Sequence, residues 1–432
     1  MLWPDTTVKT PARLTIGGCD VNSLAAQYGT PLYIFDETTI RNSSRAFKRE
    51  MARYAGGATV YYAAKAFLNG ALVRLLRDER LHLDVVSLNE LAMAQHAGFD
   101  VANCHLHGNG TPFEELESAV RWGIGRIVID NFDQLAAVIA ITKKFDLQQT
   151  VLLRVAPDVA AGGHAKIQTG KATSKFGFNI DDGSALKAIE LAHAAPTLDF
   201  VGLHAHTGSQ IRDFGALHKT IVRLFAVAHD AREQFGWQMR EISPGGGLAV
   251  ATAPDETSGD IVAYCAAVRR VVTLAAKQVG LPLPHVSIEP GRAIIARAGV
   301  AVYTVTGQKR LDDAPDFLHI DGGLGDNVRP SMYDARYTAL NASRPAARAT
   351  TDYAIAGRYC ESGDVLIPRV TLPDTKTGDL LAVPVSGAYT LSMASNYNGI
   401  GRPAVVFVHN GTAKLVQRRE TWQDIIMRDE NP

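Results

Sequence analysis

The chain has 432 residues, 46% of them apolar and 20% charged, ordinary values for a soluble globular protein with room for more than one domain. Basic and acidic residues number 44 each, a zero balance that gives no electrostatic footprint for nucleic acid or an acidic membrane. No stretch approaches the ~18 continuous apolar residues of a membrane span, and the start MLWPDTTVKT has no basic region leading into an apolar run, so no signal peptide is expected. Cysteines stand at 19, 104, 265 and 360 with no CxxC pair, which suggests neither a metal site nor a disulfide framework and fits a reducing, cytoplasmic setting.

From residue 60 the pattern alternates between short β-branched runs and stretches of helical period. VYYAAKA (60–66) precedes NGALVRLLRDE (69–79), and LDVVS (83–87) precedes NELAMAQHAG (89–98), where an Asn is placed to cap a helix. CHLHGNG (104–110) leads to PFEELESAVRWG (112–123), with Pro112 where a first turn tolerates it. RIVID (126–130) and VLLRVAP (151–157) follow, the latter before a long Gly- and Lys-rich loop. FVGLHAHTGS (200–209), REISPGGGL (240–248) and HVSIEPGR (285–292) complete the series, with helical stretches at 133–145, 184–195, 215–236 and 259–280. Eight strand candidates, seven followed by a helix, predict a (β/α)8 TIM-like barrel of the typical ~250 residues. An open doubly wound sheet is the alternative. The barrel is favoured because unusual residues sit at nearly every strand end.

After residue 292 the texture changes to short β-rich runs: GVAVYTVTGQ, DFLHIDGG, DYAIAGR, DLLAVPVSGAY and AVVFVHN. These predict a C-terminal antiparallel β domain, which the strand-like ARLTIGG and PLYIFD near the N-terminus are expected to join. The expected division is an N-terminal segment 1–35 packing with the β domain, a barrel over 36–292, and the β domain over 293–432.

A barrel enzyme works at the C-terminal ends of its strands. Lys65 ends strand one among small residues, where desolvation favours a nucleophilic amine; a structural ion pair is the other reading. Strand two holds Asp84, strand five Arg154, and strand six His204, His206 and Ser209. Gly245, Gly246 and Gly247 end strand seven, where backbone N–H groups unencumbered by side chains cradle a phosphate. Glu289, in EPGR at the end of strand eight, is placed to keep a pyridine nitrogen protonated. His206, nearer the strand end, is assigned to stack on such a ring, and His204 to the core. A lysine, a phosphate cradle, a pyridinium partner and a stacking ring together specify pyridoxal 5′-phosphate (PLP).

The segments YYAAKAFLN, LDVVSLNEL, HGNG, HAKIQTGKATSKFGF, GLHAHTGSQI, PGGGL, EPGR, DNVRPSMYDARY, CESGD and GAYTLSMASNYN resemble the barrel-type PLP decarboxylases of basic amino acids, and among them the diaminopimelate decarboxylase family. The resemblance spans nearly the whole chain. It implies that Lys65 binds the cofactor covalently, that His206 stacks on its ring, and that Glu289 partners the ring nitrogen. Asp84 and Arg154 count with the cofactor site. Ser209, Gly245, Gly246, Gly247, Gly291, Arg292 and Tyr389 match phosphate-holding positions. Arg292, Arg329, Tyr333, Glu361 and Tyr389 match substrate contacts, and Cys360 matches the proton donor.

The implied reaction is decarboxylation of meso-2,6-diaminopimelate to L-lysine and CO2, the last step of lysine biosynthesis. Its substrate carries a second carboxylate, which Arg292 and Arg329 suit, and a second ammonium, which Glu361 suits. Ornithine, arginine or carboxynorspermidine decarboxylation on the same fold is the alternative, followed by a non-catalytic PLP-binding relative and a racemase. The resemblance also implies a homodimer in which Cys360 and Glu361 of one subunit complete the site of the other. The length and glycines of the 161–177 loop allow it to close over the site.

Overall fold

The computed structural model describes residues 1–159 and 173–430, so most of the 161–177 loop lies outside the described residues. The chain divides into two compact units. One comprises Ser43–Ala249 and Gly259–Ala293, and the other Met1–Asn42, Val250–Ser258 and Ile294–Pro432.

The first unit is a closed barrel of parallel strands: β1 (Ala58–Ala63), β2 (His82–Val85), β3 (Cys104–Leu106), β4 (Arg126–Ile129), β5 (Gln149–Ala156), β6 (Leu198–His204), β7 (Glu241–Ser243) and β8 (His285–Ile288). Each pairs with the next, and β8 closes on β1 with Val286 opposite Ala58. Among the described residues, helices of nine residues or more follow seven of the strands, at Gly70–Asp78, Leu88–His96, Phe113–Arg121, Phe132–Phe145, Ser184–Ala194, Gly215–Phe235 and Ile261–Gln278. Local chemistry starts them: Asn69 accepts from the Leu72 N–H and Asn131 from the Gln134 N–H. The second helix begins one residue before the Asn expected to cap it. Ser87 is the cap, because its extended backbone (φ −149°) aims its hydroxyl at the Glu90 N–H.

Strands β1 to β8 are buried toward both the lumen and the helices, so most read as continuous apolar runs. The lumen itself carries a polar layer: Arg126 pairs with Glu241 at 2.9 Å, and the Ser287 hydroxyl donates to the same carboxylate. β6 shifts register between Phe200 and Gly202, where an added Cβ would lie 1.7 Å from the Glu241 carbonyl oxygen. This irregularity precedes His204 at the end of the strand and His206 just beyond it.

The second unit is built on a nine-stranded sheet that is largely antiparallel but not wholly so. Leu32–Asp36 lies inside it, antiparallel to Gly299–Lys309 and parallel to Ala404–His409. Asp316–Ile320 also runs parallel to Thr351–Ala356. The other N-terminal run does not join this sheet. Leu14–Ile16 pairs with Val8–Lys9 and Cys19–Asp20 in a small sheet of its own, because the turn at Gly17–Gly18 folds it back at once. Its Leu14 and Ile16 side chains still bury in the same apolar cluster as Leu32, Ile34, Val300, Val302 and Val406.

Candidate active site

The C-terminal end of the barrel gathers a buried acidic and imidazole cluster around Glu289. Its Oε1 accepts from the Ser243 hydroxyl at 2.9 Å, and its Oε2 from His204 Nε2 at 3.1 Å. A carboxylate only accepts, so His204 carries its proton on Nε2. Burial drives His204 down to about 4, although Glu289 pulls the other way. His204 is buried, as the sequence suggests for a core histidine, and its Nδ1 has no hydrogen-bond partner among the described residues. Burial opposes the Glu289 charge, but the imidazoles of His204 and His107 hold its carboxyl well below the usual range. Asp84, also buried, goes the other way: burial raises it, with Glu289 adding to the effect and His107 and Lys65 opposing it.

Beside this cluster runs the turn of three glycines. An added Cβ would lie 2.5 Å from His206 Nδ1 at Gly245, 2.1 Å from the Glu289 carbonyl oxygen at Gly246, and 2.2 Å from the Gly208 carbonyl oxygen at Gly247. Only a chain without side chains fits. The Gly246 N–H donates to His206 Nδ1 at 3.3 Å, so His206 is neutral with its proton on Nε2. Burial, with the Lys65 charge, holds His206 well below its ordinary pKa. Ser209 joins the same rim through Arg292, whose Nη2 donates to its hydroxyl at 3.2 Å. At Gly291 an added Cβ would lie 3.0 Å from Ala63, at the end of β1. Lys65 follows as the exposed residue between buried Ala64 and Ala66. Arg154 lies 3.6 Å from Asp130 and 4.1 Å over the Phe176 ring.

These features suit PLP. The glycine turn is a cradle that a Cβ would fill, with the Arg292 guanidinium at its rim. The anionic Glu289 is the partner that a protonated ring nitrogen needs. Two of the three glycine N–H groups, however, already donate within the protein, Gly245 to Ser243 and Gly246 to His206.

The second unit holds the remaining residues in one stapled cluster of loops. Arg329 opens the helix Arg329–Tyr333, and its Nη1 donates to the Tyr337 hydroxyl at 2.6 Å. Tyr333 is half-buried at the other end of that helix. Cys360 and Glu361 are exposed on a tight turn. Asp364 ties the turn down, its carboxylate accepting from the Tyr359 N–H at 2.9 Å and the Leu324 N–H at 2.6 Å. Ser331 bonds the Gly363 carbonyl, and Asn398 accepts from the Cys360 N–H. The loops that carry Arg329, Cys360 and SMASNYN therefore share one hydrogen-bond network. Tyr389 adopts φ +58°, a left-handed conformation that costs a non-glycine residue about 1 kcal/mol or more and is held by its surroundings. The other three cysteines are buried.

The sequence reasoning missed Ser243 and His107. Ser243 is one residue before the glycine run's proline, and His107, one residue past β3, stands two positions after His105, a period-two signal of two residues facing one side. His105, His107 and Glu289 bring ligand atoms within 4.8 Å of one another. That is wider than the about 3.4 Å between tetrahedral zinc ligands at 2.0–2.2 Å, and Glu289 is already occupied by Ser243 and His204. Among the described residues, no helix is long and apolar enough to cross a membrane.

Residues 37–296 match the family described as pyridoxal-dependent decarboxylase, pyridoxal binding domain. The chain is 40% identical to a diaminopimelate decarboxylase of Bacillus subtilis over 96% of its own length and 95% of the relative's. It is 36% identical to a diaminopimelate decarboxylase of Mycobacterium tuberculosis, covering 98% and 97%. The crystal structure of diaminopimelate decarboxylase from M. jannaschii in complex with L-lysine superposes with a TM-score of 0.93 at 31% identity, covering 100% and 99%. With that similarity along the full chain, and a glycine cradle and anionic glutamate in place, this protein belongs to the diaminopimelate decarboxylase family of pyridoxal-dependent decarboxylases.

Proposed function

We propose that this chain removes CO2 from one end of meso-2,6-diaminopimelate and releases L-lysine. The observation that carries the substrate is the stapled loop cluster. It sets a buried guanidinium, Arg329, on the same network as an exposed carboxylate, Glu361, and an exposed thiol, Cys360. A substrate with a distal carboxylate and a distal ammonium uses all of these groups, the guanidinium of one copy and the carboxylate and thiol of the other, whereas ornithine offers the arginines no carboxylate. The M. jannaschii relative crystallised with L-lysine, the expected product.

PLP supplies, when bound, the sink for the electron pair that decarboxylation leaves behind. Lys65 provides the amine that anchors it, and Glu289 holds a proton at its ring nitrogen. His206 offers a neutral ring to its face. Ser209, Gly245, Gly246, Gly247, Gly291, Arg292 and Tyr389 hold its phosphate, and Asp84 and Arg154 set the surrounding charge. Arg292 and Arg329 bind the distal carboxylate, Tyr333 and Tyr389 flank it, and Glu361 receives the distal ammonium. Cys360 Sγ delivers its proton to the carbon that lost CO2 and recovers one from water.

Cys360 and Glu361 act in the site of a second copy, within a homodimer, and their exposure on this chain supports that assignment. The free thiols and even charge balance suit a cytoplasmic setting. The deciding measurement is CO2 release from diaminopimelate and from ornithine by the PLP-loaded protein; a preference for ornithine overturns the substrate assignment. Mixing Lys65→Ala with Cys360→Ala chains tests the shared site, because the heterodimer regains one intact site. Confirmed heterodimers without recovered activity would place Cys360 in its own chain's site.

A further inference from the structure

His107 has no role in the reading above, yet it stands at the centre of the barrel's charge. Its backbone N–H donates to the Val85 carbonyl at 2.8 Å, which fixes it one residue beyond β3 against β2. Its side chain is buried, with Nε2 at 3.5 Å from Asp84 Oδ1 and 3.6 Å from Glu289 Oε1. Among the described residues, neither His107 Nε2 nor Asp84 Oδ1 has a partner within full hydrogen-bond geometry, so the two carboxylates are the imidazole's nearest charged neighbours. Its ring edge meets the neutral His204 ring at 4.8 Å between centroids.

Two carboxylates that share a dry space cannot both stay ionised unless a cation lies between them. Among the described residues, the charged and titratable groups around His107 are Asp84 from β2, Glu289 from the end of β8, His204 from β6, Arg154 from β5, and His105 from β3. Arg154 lies against Asp130, and His105 and His204 are held neutral by burial. Burial also pushes His107 down, but Asp84 and Glu289 outweigh it, so His107 alone of these imidazoles is raised above its ordinary value.

We propose that His107 is a positioning residue, an imidazolium that bridges Asp84 and Glu289 so that both remain anionic and Glu289 can hold a proton on the cofactor's ring nitrogen. This rests on the reading that Glu289 faces that nitrogen. Loss of the bridge puts a proton on one of the two carboxylates. A protonated Glu289 no longer favours a protonated ring. Removing the Asp84 charge instead relieves the need for the bridge.

The experiment compares wild type, His107→Gln, Asp84→Asn and the double variant. Each apoprotein is titrated with PLP, and the visible absorption of the bound cofactor is followed against pH. His107→Gln is expected to weaken PLP binding about 10-fold, the effect of one pKa unit, and to displace the pH midpoint of the absorption band. The double variant is expected to bind PLP within about threefold of Asp84→Asn alone, a coupling that a mere packing loss does not produce. Wild-type-like binding and an unmoved band in His107→Gln would overturn the proposal, as would additive losses in the double variant. Should His107→Gln fail to fold, the comparison of the double variant with Asp84→Asn carries the test, and a double variant that also fails to fold overturns it. Absence of PLP binding by the wild type would overturn the cofactor reading itself, a result distinct from all of these.

Discussion

Gly246→Ala is the sharpest probe of the glycine turn, because its effect is steric alone. Gly245 and Gly247 have φ of +77° and +99°, so any side chain there also strains the backbone, whereas Gly246 is outside that region. A Cβ at 246 would lie 2.1 Å from the Glu289 carbonyl oxygen, 2.8 Å from its carbon and 3.4 Å from Pro290 N. All three are backbone atoms, so no flexible side chain can swing away. Carbon normally approaches such an oxygen no closer than about 3.3 Å, so the two segments must part by about 1.2 Å. Overpacking of this kind costs about 1–3 kcal/mol, or about 2–4 °C in Tm for each kcal/mol in a chain of a few hundred residues. The displaced carbonyl is that of Glu289 itself. A shift of about 1 Å in a group that positions a reacting centre lowers kcat/KM by about 10²-fold. Thermal melts followed by circular dichroism, PLP titration and CO2 release measure the three effects. Gly110→Ala is the control, since a Cβ there meets nothing within 4 Å among the described residues, and its stability is expected to stay within about 0.5 kcal/mol of wild type. A Gly246→Ala protein that melts with wild type and keeps kcat/KM within about threefold would refute the reasoning from close approach.

Asp364→Ala removes the acceptor of two backbone N–H groups, Tyr359 and Leu324, at a cost of about 2–4 kcal/mol. Urea melts should show that loss, with Asp364→Asn recovering part of it; an unchanged midpoint would show that water replaces the carboxylate. Burial raises the Glu90 carboxyl to about 7, against the Val86 N–H that donates to it, with Asp84 adding and Lys65 opposing. A carboxyl raised on folding lends stability below its unfolded pKa of about 4.5, and that share is lost as pH rises through about 7. Glu90→Gln should therefore gain on wild type by on the order of 1–3 kcal/mol between pH 5 and pH 8. Parallel pH profiles of the two proteins would contradict this.

The barrel was legible because its signal is repeated: eight β-branched runs, most followed by a helical period, with reactive side chains at their ends. Its closure is visible only in three dimensions, where β8 meets β1. The strands Val365–Leu372 and Thr412–Gln417 escaped notice because much of each is exposed and polar, which blurs the apolar alternation. The helix Glu37–Met51 escaped for a related reason, being mostly polar with few apolar anchors such as Ile40 and Phe47. Lys65 and Glu289 were readable as single residues at strand ends. His107 and Asp364 were not, because their meaning lies in what they touch. One bridges strands two and eight, and the other joins loops at 322–324 and 357–364.

The strand Leu32–Asp36 has a consequence for how the chain is made. It leaves the ribosome early, yet Ile34 pairs with Val300 and with Val406, the latter 372 positions later. At about 5–20 residues per second, that second edge waits about 20–75 s for its partner. All eight barrel strands are synthesised within that interval. For that time LYIFD is an apolar strand with at least one unsatisfied edge, the form most prone to pair with another nascent chain. Its protection during synthesis, rather than the assembly of the barrel, is where a chaperone or a slower translation rate would most improve the yield of folded protein.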